Sequence, residues 1–553
     1  MKIVLVAQNS SYTHTNAAVR IFYSQLAPRH DVKIVETTVN DRGGTISLAE
    51  QLYELKADMY LFSVYIWNRQ NQLQAANAVK QLLPESVVVM GGPEISFETE
   101  SFLAQNPFID YLVRGEGEKV ICDIADGKIT EKGIIDGGVY ENFETLPEPY
   151  FCAENPYACS DGKLVYYESS RGCPYNCSYC LSSVKKKGER VRFKPTDMVM
   201  KEISVLMSKN IKTIKFVDRS FNADVKRAAE IFEGILDVSK NFIKDGKYVG
   251  TTCHFEICAA LIDQKTIEIL SRAPDGLFRF EIGVQTITPS ALSAIGRADN
   301  TQKILENVDL LREKTKVVIH LDLICGLPTD TYEGIKNSFN AIYGKCDLLQ
   351  LGILKLLPGT KMRADTEKYS IKYLDTPPYT VLETATTSFC ELRRLERIAH
   401  ETERFCAQNG NFRKTTEFLV KCASTPFDFY EKIALYFGKK ENMTVKAVYG
   451  EILEFAMSSG LCTAQKTNLL REYLRFDFLL TNQGSVPLCI DKKYTEEQSE
   501  FLKTAKNEYI HSFPKNGSPF FVPATEAHIF DFDNENVYII DRKNGTCKMK
   551  MRG

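Results

Sequence analysis

Long apolar runs are missing. Nowhere in the 553 residues do about 18 consecutive apolar side chains occur, so no segment reads as a membrane-spanning helix. The opening, MKIVLVAQNSSYTHTNAAVR, holds one short apolar run with no small-residue cleavage site behind it. The expectation is a cytoplasmic protein with no membrane partner. A surplus of charge is missing too: a formal net charge of -2 excludes a globally basic surface, so a nucleic acid would have to meet a local patch. There is one tryptophan, Trp67, and neither an internal repeat nor a low-complexity tract. Cysteine is not scarce. Sixteen in a chain this large without a signal read as reduced thiols and metal ligands rather than a disulfide framework.

At about 150 residues per domain, the length points to roughly three domains. From Met1 to about Glu118, β-branched runs (KIVLVAQ, DVKIVETTV, DMYLFSVYIW, SVVVMGGPE, IDYLVRGEGE) alternate with amphipathic helical stretches. This pattern indicates a doubly wound, Rossmann-like parallel sheet over residues 1–125. Ligands of such folds bind beyond the carboxyl ends of the strands. Those ends carry Asn9, Ser10 and His14; Ser63, Tyr65, Ile66 and Trp67; Gly91, Gly92, Pro93 and Glu94; and Gly115, Glu116, Gly117 and Glu118. Residues 126–162 have the proline, glycine and acidic content of a linker. A second alternating series over 163–375 (KLVYYESS, IKTIKFVD, GTTCHFEICA, LFRFEIGVQT, KVVIHLDLICG, LLQLGILKLLP) predicts a partial TIM barrel of six β/α units, with function at the strand carboxyl ends. Residues 376–553 read as mainly helical, closing on a terminal strand pair.

Just after the first barrel strand, SSRGCPYNCSYC places Cys173, Cys177 and Cys180 on one short loop, from which three thiolates can converge on an iron-sulfur cluster. A structural zinc site generally takes four protein ligands, and no cysteine or histidine follows at a neighbouring spacing. The CPYNCSYC motif, with the aromatic Tyr179 before its last cysteine, resembles the radical S-adenosylmethionine (SAM) superfamily. The resemblance implies a four-iron four-sulfur cluster whose non-cysteine iron chelates SAM. It also implies SAM contacts at Tyr179, at Glu256 in HFEI, at Gln285 in FEIGVQT, at Arg297, and at Leu356 and Pro358 in LKLLPGT. Many members carry Gly-Gly-Glu at the second strand. Here FVDRSFNAD stands there, leaving Asp218, Ser220 or Asn222 as substitutes.

A doubly wound domain ahead of the barrel, with GGPE and RGEGE at its fourth and fifth strands, resembles the cobalamin-binding subfamily with an uncharacterised C-terminal domain. Cobalamin is then the implied third cofactor, held by the strand-end residues named above. None of the seven histidines lies in an Asp-x-His-x-x-Gly pattern, so the cobalt receives no histidine of that kind, and Tyr65, Ile66 and Trp67 are the implied cover of its lower face. For Tyr65 and Trp67 the plain alternative is closure of an interdomain core.

The resemblance implies an enzyme that methylates an unactivated carbon through a 5′-deoxyadenosyl radical and methylcobalamin, fed by an external one-electron reductant such as flavodoxin or ferredoxin. A small molecule, a peptide or RNA could be the substrate. One alternative is a tRNA-modifying radical SAM enzyme of the methylthiolating or a related type, with VKKKGERVRFK as a phosphate-binding patch. Against it, only Cys122 precedes Cys152, whereas methylthiotransferases carry a cysteine set for a second cluster. The other alternative is a cobalamin-binding sensor or a non-methylating radical SAM protein.

Overall fold

The computed structural model describes residues 1–146, 149–150, 163–184, 190–209, 211–298, 300–406, 410–438, 440, 443–511, 525–530, 532–543 and 546–551. Residues 185–189 of the basic stretch VKKKGERVRFK lie outside them. The chain forms two compact units, Met1–Thr331 with Ile353–Phe389, and Tyr332–Gly352 with Cys390–Gly553.

The first unit opens with a parallel sheet. Its strands are β1 (Lys2–Asn9), β2 (Asp31–Thr38), β3 (Met59–Ser63), β4 (Val87–Gly91), β5 (Tyr111–Gly115) and β6 (Gly133–Gly138), in the order β2-β1-β3-β4-β5-β6. Both faces are covered, which is why these strands read as continuous apolar runs. Val4, Val6, Tyr60, Phe62 and Met90 pack beneath α2 (Gly44–Leu55) and α3 (Arg69–Leu82), the helices that follow β2 and β3. Ile3, Leu5, Leu61, Val89 and Val113 pack beneath α1 (Ala17–Leu26) and α5 (Glu118–Ala125), while α4 (Thr99–Gln105) follows β4. The chain leaves β1 for β2 on one side and returns to β3 on the other. The loops after β1 and β3 therefore part at a switch point, where a crevice opens. The stretch expected as linker contributes β6 (GIIDGG), which pairs with β5. Its three glycines suppress the strand signal that backbone pairing nonetheless satisfies.

The second sheet has β7 (Leu164–Tyr167), β8 (Thr213–Phe216), β9 (Thr252–Glu256), β10 (Phe278–Gln285), β11 (Val318–Cys325) and β12 (Leu348–Ile353), lying in chain order as a partial barrel. Helices α6 (Thr196–Ser208), α7 (Val225–Ser239), α8 (Gln264–Ser271), α9 (Pro289–Ala294) and α10 (Thr301–Lys314) return the chain between strands. β10 and β11 alternate strictly between buried and half-buried residues. Phe278, Phe280, Ile282, Ile319, Leu321 and Leu323 point into the core, leaving Arg279, Glu281, Gln285, His320 and Asp322 for the opposite face.

The second unit is mainly helical, with α11 (Tyr332–Ile342), α12 (Phe389–Cys406), α13 (Arg413–Cys422), α14 (Pro426–Phe437), α15 (Val445–Ser458), α16 (Ala464–Thr481) and α17 (Glu496–His511). The buried Asp477 of α16 accepts the Lys414 and Thr415 amides at 3.1 and 2.8 Å, meeting first-turn donors of α13 that have no partner within the helix. The expected terminal strand pair is a three-stranded antiparallel sheet, β13 (Thr525–Phe530), β14 (Asp533–Asp541) and β15 (Thr546–Met551). No helix among the described residues is long and apolar enough to cross a membrane.

Candidate active site

The loop after β7 is fixed from several sides. Asp218, fully buried just beyond β8, accepts the Ser169 amide at 3.0 Å and the Ser169 and Ser170 hydroxyls at 2.6 and 2.5 Å. Burial raises its pKa. This is a different task from the SAM contact expected of it: Asp218 holds the strand exit and does not line the cavity beyond. Arg227 donates to the Ser169 carbonyl at 3.0 Å. Further along, the Ser178 amide donates to the Ile295 carbonyl at 2.9 Å, and the Met362 amide to the Ser178 carbonyl at 2.8 Å.

That loop opens onto a cavity of about 300 Å³. Cys173, Cys177, Cys180, Tyr179, Ser220, Glu256, Gln285, Arg297 and Asp322 all line it. Among the described residues no three His, Cys, Asp or Glu side chains could hold a single metal ion. The thiols instead share the walls of one space, as ligands to different irons of a cluster would. Burial raises the Cys177 thiol pKa, and Arg297 opposes the rise with a guanidinium 3.9 Å from its sulfur. The other Arg297 nitrogen donates to the Gly283 carbonyl at 3.0 Å. Gln285 sits in left-handed backbone, φ 71°, with its side-chain oxygen buried and unpartnered. A Cβ on Gly283 would lie 2.0 Å from the side-chain amide nitrogen of Gln285, so a larger residue there would push the Gln285 side chain out of its present place. An unsatisfied amide, an unsatisfied Asp322 oxygen and a guanidinium beside three thiols suit the polar groups of SAM.

Two expected SAM contacts are elsewhere. Leu356 and Pro358 are buried and do not line this cavity. The Leu356 amide is spent on the Tyr379 carbonyl at 2.9 Å, and Gly359 of the same loop packs on Phe97.

A polar file adjoins the cavity, and its Glu281 and Asp322 line the wall. The His254 Nε2 stands 3.1 Å from the Glu281 carboxylate and Lys215 donates to it at 3.0 Å; together they hold the carboxyl down at about 2. Burial lowers His320 to about 4, and burial with the nearby Glu281 charge pushes Asp322 up to about 7.

At the switch point of the first sheet lies a larger cavity of about 500 Å³. Asn9, Ser10, His14, Tyr65, Trp67 and Glu118 line it, together with Phe22, Phe143, Tyr166, Glu168 and Arg171. A buried network that sequence reading missed holds its β1 loop. Asn9 donates to Glu36 and to the His14 carbonyl at 2.9 and 3.0 Å, and Glu36 pairs with Arg20 at 2.7 Å. His14 and the Tyr166 hydroxyl are 2.5 Å apart. Tyr65 and Trp67 stack at 4.5 Å, and Trp67 donates to the Gln8 carbonyl at 3.0 Å. Trp67 remains 46% exposed, so it closes no core; Ile66 lies beside it without lining the cavity.

A neighbouring cavity of about 250 Å³ is lined by Ser63, Gly91, Gly92, Pro93, Gly115, Glu116 and Gly117. It shares Phe22, Tyr65, Glu118, Glu168 and Arg171 with the larger one. A Cβ on Gly92, φ 124°, would meet the Val64 carbonyl oxygen at 2.3 Å, so this glycine also serves backbone packing. Glu94 faces neither cavity: it is buried, paired with Arg69 at 3.0 Å and bonded by the Tyr379 hydroxyl. Glu116 and Glu118 line the space but are committed to Arg171, at 3.1 and 2.8 Å.

Comparison with known proteins decides what this pairing is. Residues 167–342 match the Radical SAM superfamily model, residues 3–125 the B12 binding domain, and residues 367–546 a protein family of unknown function, DUF4080. The chain carries a radical SAM domain preceded by a B12-binding domain. It is 26% identical to the "Uncharacterized methyltransferase PH0819" of Pyrococcus horikoshii over 61% of this chain and 75% of that protein. It is 22% identical to the "Cobalamin-dependent radical SAM methyltransferase TokK" of Streptomyces tokunonensis over 58% of this chain and 50% of that one. The chain thus matches half to three quarters of these relatives' length. The structure of the radical SAM methyltransferase TsrM from Kitasatospora setae shares the fold, with a TM-score of 0.57 at 15% identity over 91% of this chain and 99% of that one. The two cofactor-binding domains bring a four-iron four-sulfur cluster, SAM and cobalamin to this chain.

Proposed function

We propose that this radical SAM protein is a cobalamin-dependent methyltransferase acting on an unactivated carbon. The observation that carries the reading is the position of one loop: Glu168 and Arg171 wall the larger cavity, and Cys173, Cys177 and Cys180 wall the cluster cavity. Two cofactor spaces therefore flank a single strand exit. When bound, the cluster and SAM supply one-electron cleavage of a sulfonium, and the cobalamin supplies a methyl carrier.

In this reading the residues hold and exclude. The three thiolates carry the cluster, while Arg297, Gln285, Glu256 and Tyr179 receive SAM. Ser220, whose hydroxyl lies 3.7 Å from the Cys173 sulfur, replaces Asp218 at the second strand. Asn9, Ser10 and the stacked Tyr65 and Trp67 face the corrin, and Gly91, Gly92, Gly115 and Gly117 give its tail room. His14 is engaged with Tyr166 and orients the wall. The protein would work in the reducing cytoplasm with a flavodoxin- or ferredoxin-like donor.

The test is anaerobic incubation of reduced, hydroxocobalamin-loaded protein with SAM labelled in its methyl carbon. The expected result is 5′-deoxyadenosine together with label in the cobalamin fraction. If 5′-deoxyadenosine forms while every methyl label stays on SAM or methionine, the protein is a non-methylating radical SAM enzyme.

A further inference from the structure

Arg171 stands two residues before Cys173, and its guanidinium is surrounded by carboxylates. Glu168 of the same strand exit takes a paired contact, 2.9 Å to the Nε and 2.7 Å to one terminal nitrogen. Glu116 and Glu118, from the turn between β5 and α5 of the first sheet, take the other terminal nitrogen at 3.1 and 2.8 Å. Glu116 also binds Arg192, whose second nitrogen donates to the Tyr140 carbonyl at 2.7 Å. Arg171 and Arg192 both lie over the buried Phe143 ring, at 4.9 and 5.8 Å. The side chains of Arg171, Glu116 and Glu118 are 17%, 17% and 8% exposed, so water screens this knot poorly. A planar guanidinium saturated on both edges is geometrically specific in a way that a lysine ammonium is not.

This accounts for the RGEGE motif. Its two glutamates are committed across the domain boundary to the arginine of SSRGC, and Glu118 and Arg171 line both cavities of the first sheet. We propose that Arg171 is a positioning residue that couples the cluster loop to the cobalamin cavity, so that filling either site favours filling the other. The inference rests on the cofactor reading above and adds a link between the two sites. It requires no contact between Arg171 and either cofactor. Because such coupling is reciprocal, it is measurable as binding.

The experiment measures the Kd for hydroxocobalamin by absorbance in the full chain, before and after cluster reconstitution. In parallel, the alkylation rate of Cys173, Cys177 and Cys180 is followed by mass spectrometry in the cluster-free chain, with and without hydroxocobalamin. Reconstitution is expected to tighten cobalamin binding at least about fivefold, and cobalamin to slow alkylation by a similar factor. In Arg171→Met and Glu118→Gln both ratios fall below about twofold, with Arg171→Lys between, because lysine keeps the charge but loses the fork. A merely structural role would lower the amount of folded protein and leave the ratios unchanged. Should Arg171→Met fail to fold, Glu118→Gln decides. Ratios in a folded variant equal to those of the wild type overturn the proposal, as does wild-type protein that binds both cofactors independently. Wild-type protein that binds no hydroxocobalamin overturns the cofactor reading itself.

Discussion

The walls of the two main cavities are recruited differently. Three thiols of the cluster cavity come from one loop, Cys173 to Cys180, whose spacing is visible in the bare sequence. The larger cavity draws Asn9, His14 and Phe22 from one connection, Tyr65 and Trp67 from another, Phe143, Leu146 and Pro149 from a third, and Tyr166, Glu168, Arg171 and Lys194 from the barrel. A site concentrated in one loop fails when one residue fails. A site assembled from many segments loses affinity by degrees, and its positions are set by packing rather than by motif.

The largest effect should come from the concentrated site. Cys177→Ala leaves two thiolates for a cluster that needs three, and SAM cleavage should drop at least about 1000-fold, with iron content falling in step. Retained cleavage would remove the contrast. Gly92→Ala probes the assembled site where packing is tightest. A Cβ 2.3 Å from the Val64 carbonyl oxygen, on backbone at φ 124°, should cost about 3 kcal/mol, read as a lowered denaturant midpoint.

Asp322→Asn sharpens the comparison through pH. The native carboxyl titrates at about 7, against 3.8 for the ordinary group, because burial and Glu281 disfavour its charge. Below about pH 4 native and unfolded chains both hold the proton and the variant gains nothing. Between 4 and 7 only the unfolded chain releases it, so the wild type loses stability as pH rises, and the loss is complete above 7. The variant should therefore match the wild type at the acid end and exceed it by roughly 4 kcal/mol at pH 8. Equal pH dependence of the two unfolding midpoints would show that Asp322 is solvated. Smallest is Trp67→Ala: one plate of a stacked pair among several walls, its loss should weaken hydroxocobalamin binding about tenfold without changing iron content.

Much of this was readable from the chain. Alternation of apolar residues gave both parallel sheets, because strands covered on both faces and strands facing a bore leave distinct patterns. The strand β6 escaped because glycine pairs as backbone while carrying no side-chain signal. Residue roles were harder to read than residue neighbourhoods. Glu94, Glu116 and Glu118 stand at the expected strand ends, yet they bind Arg69, Arg171 and Arg192, partners 25 to 76 positions away in sequence. Asp218 was expected at a cofactor and instead holds Ser169 and Ser170. A carboxylate's partner is fixed by tertiary proximity, which spacing along one chain does not encode. Arg20 and Glu36 left no signal for the same reason.

Two cofactors occupying the two spaces beside one strand exit are what the proposed chemistry most requires. Quantifying iron, sulfide and cobalamin in anaerobically reconstituted protein, with its visible spectrum, tests this directly. The expected result is one four-iron four-sulfur cluster and one cobalamin per chain, with the cluster lost and the cobalamin kept in Cys177→Ala. Folded protein that takes up neither iron with sulfide nor cobalamin would contradict it.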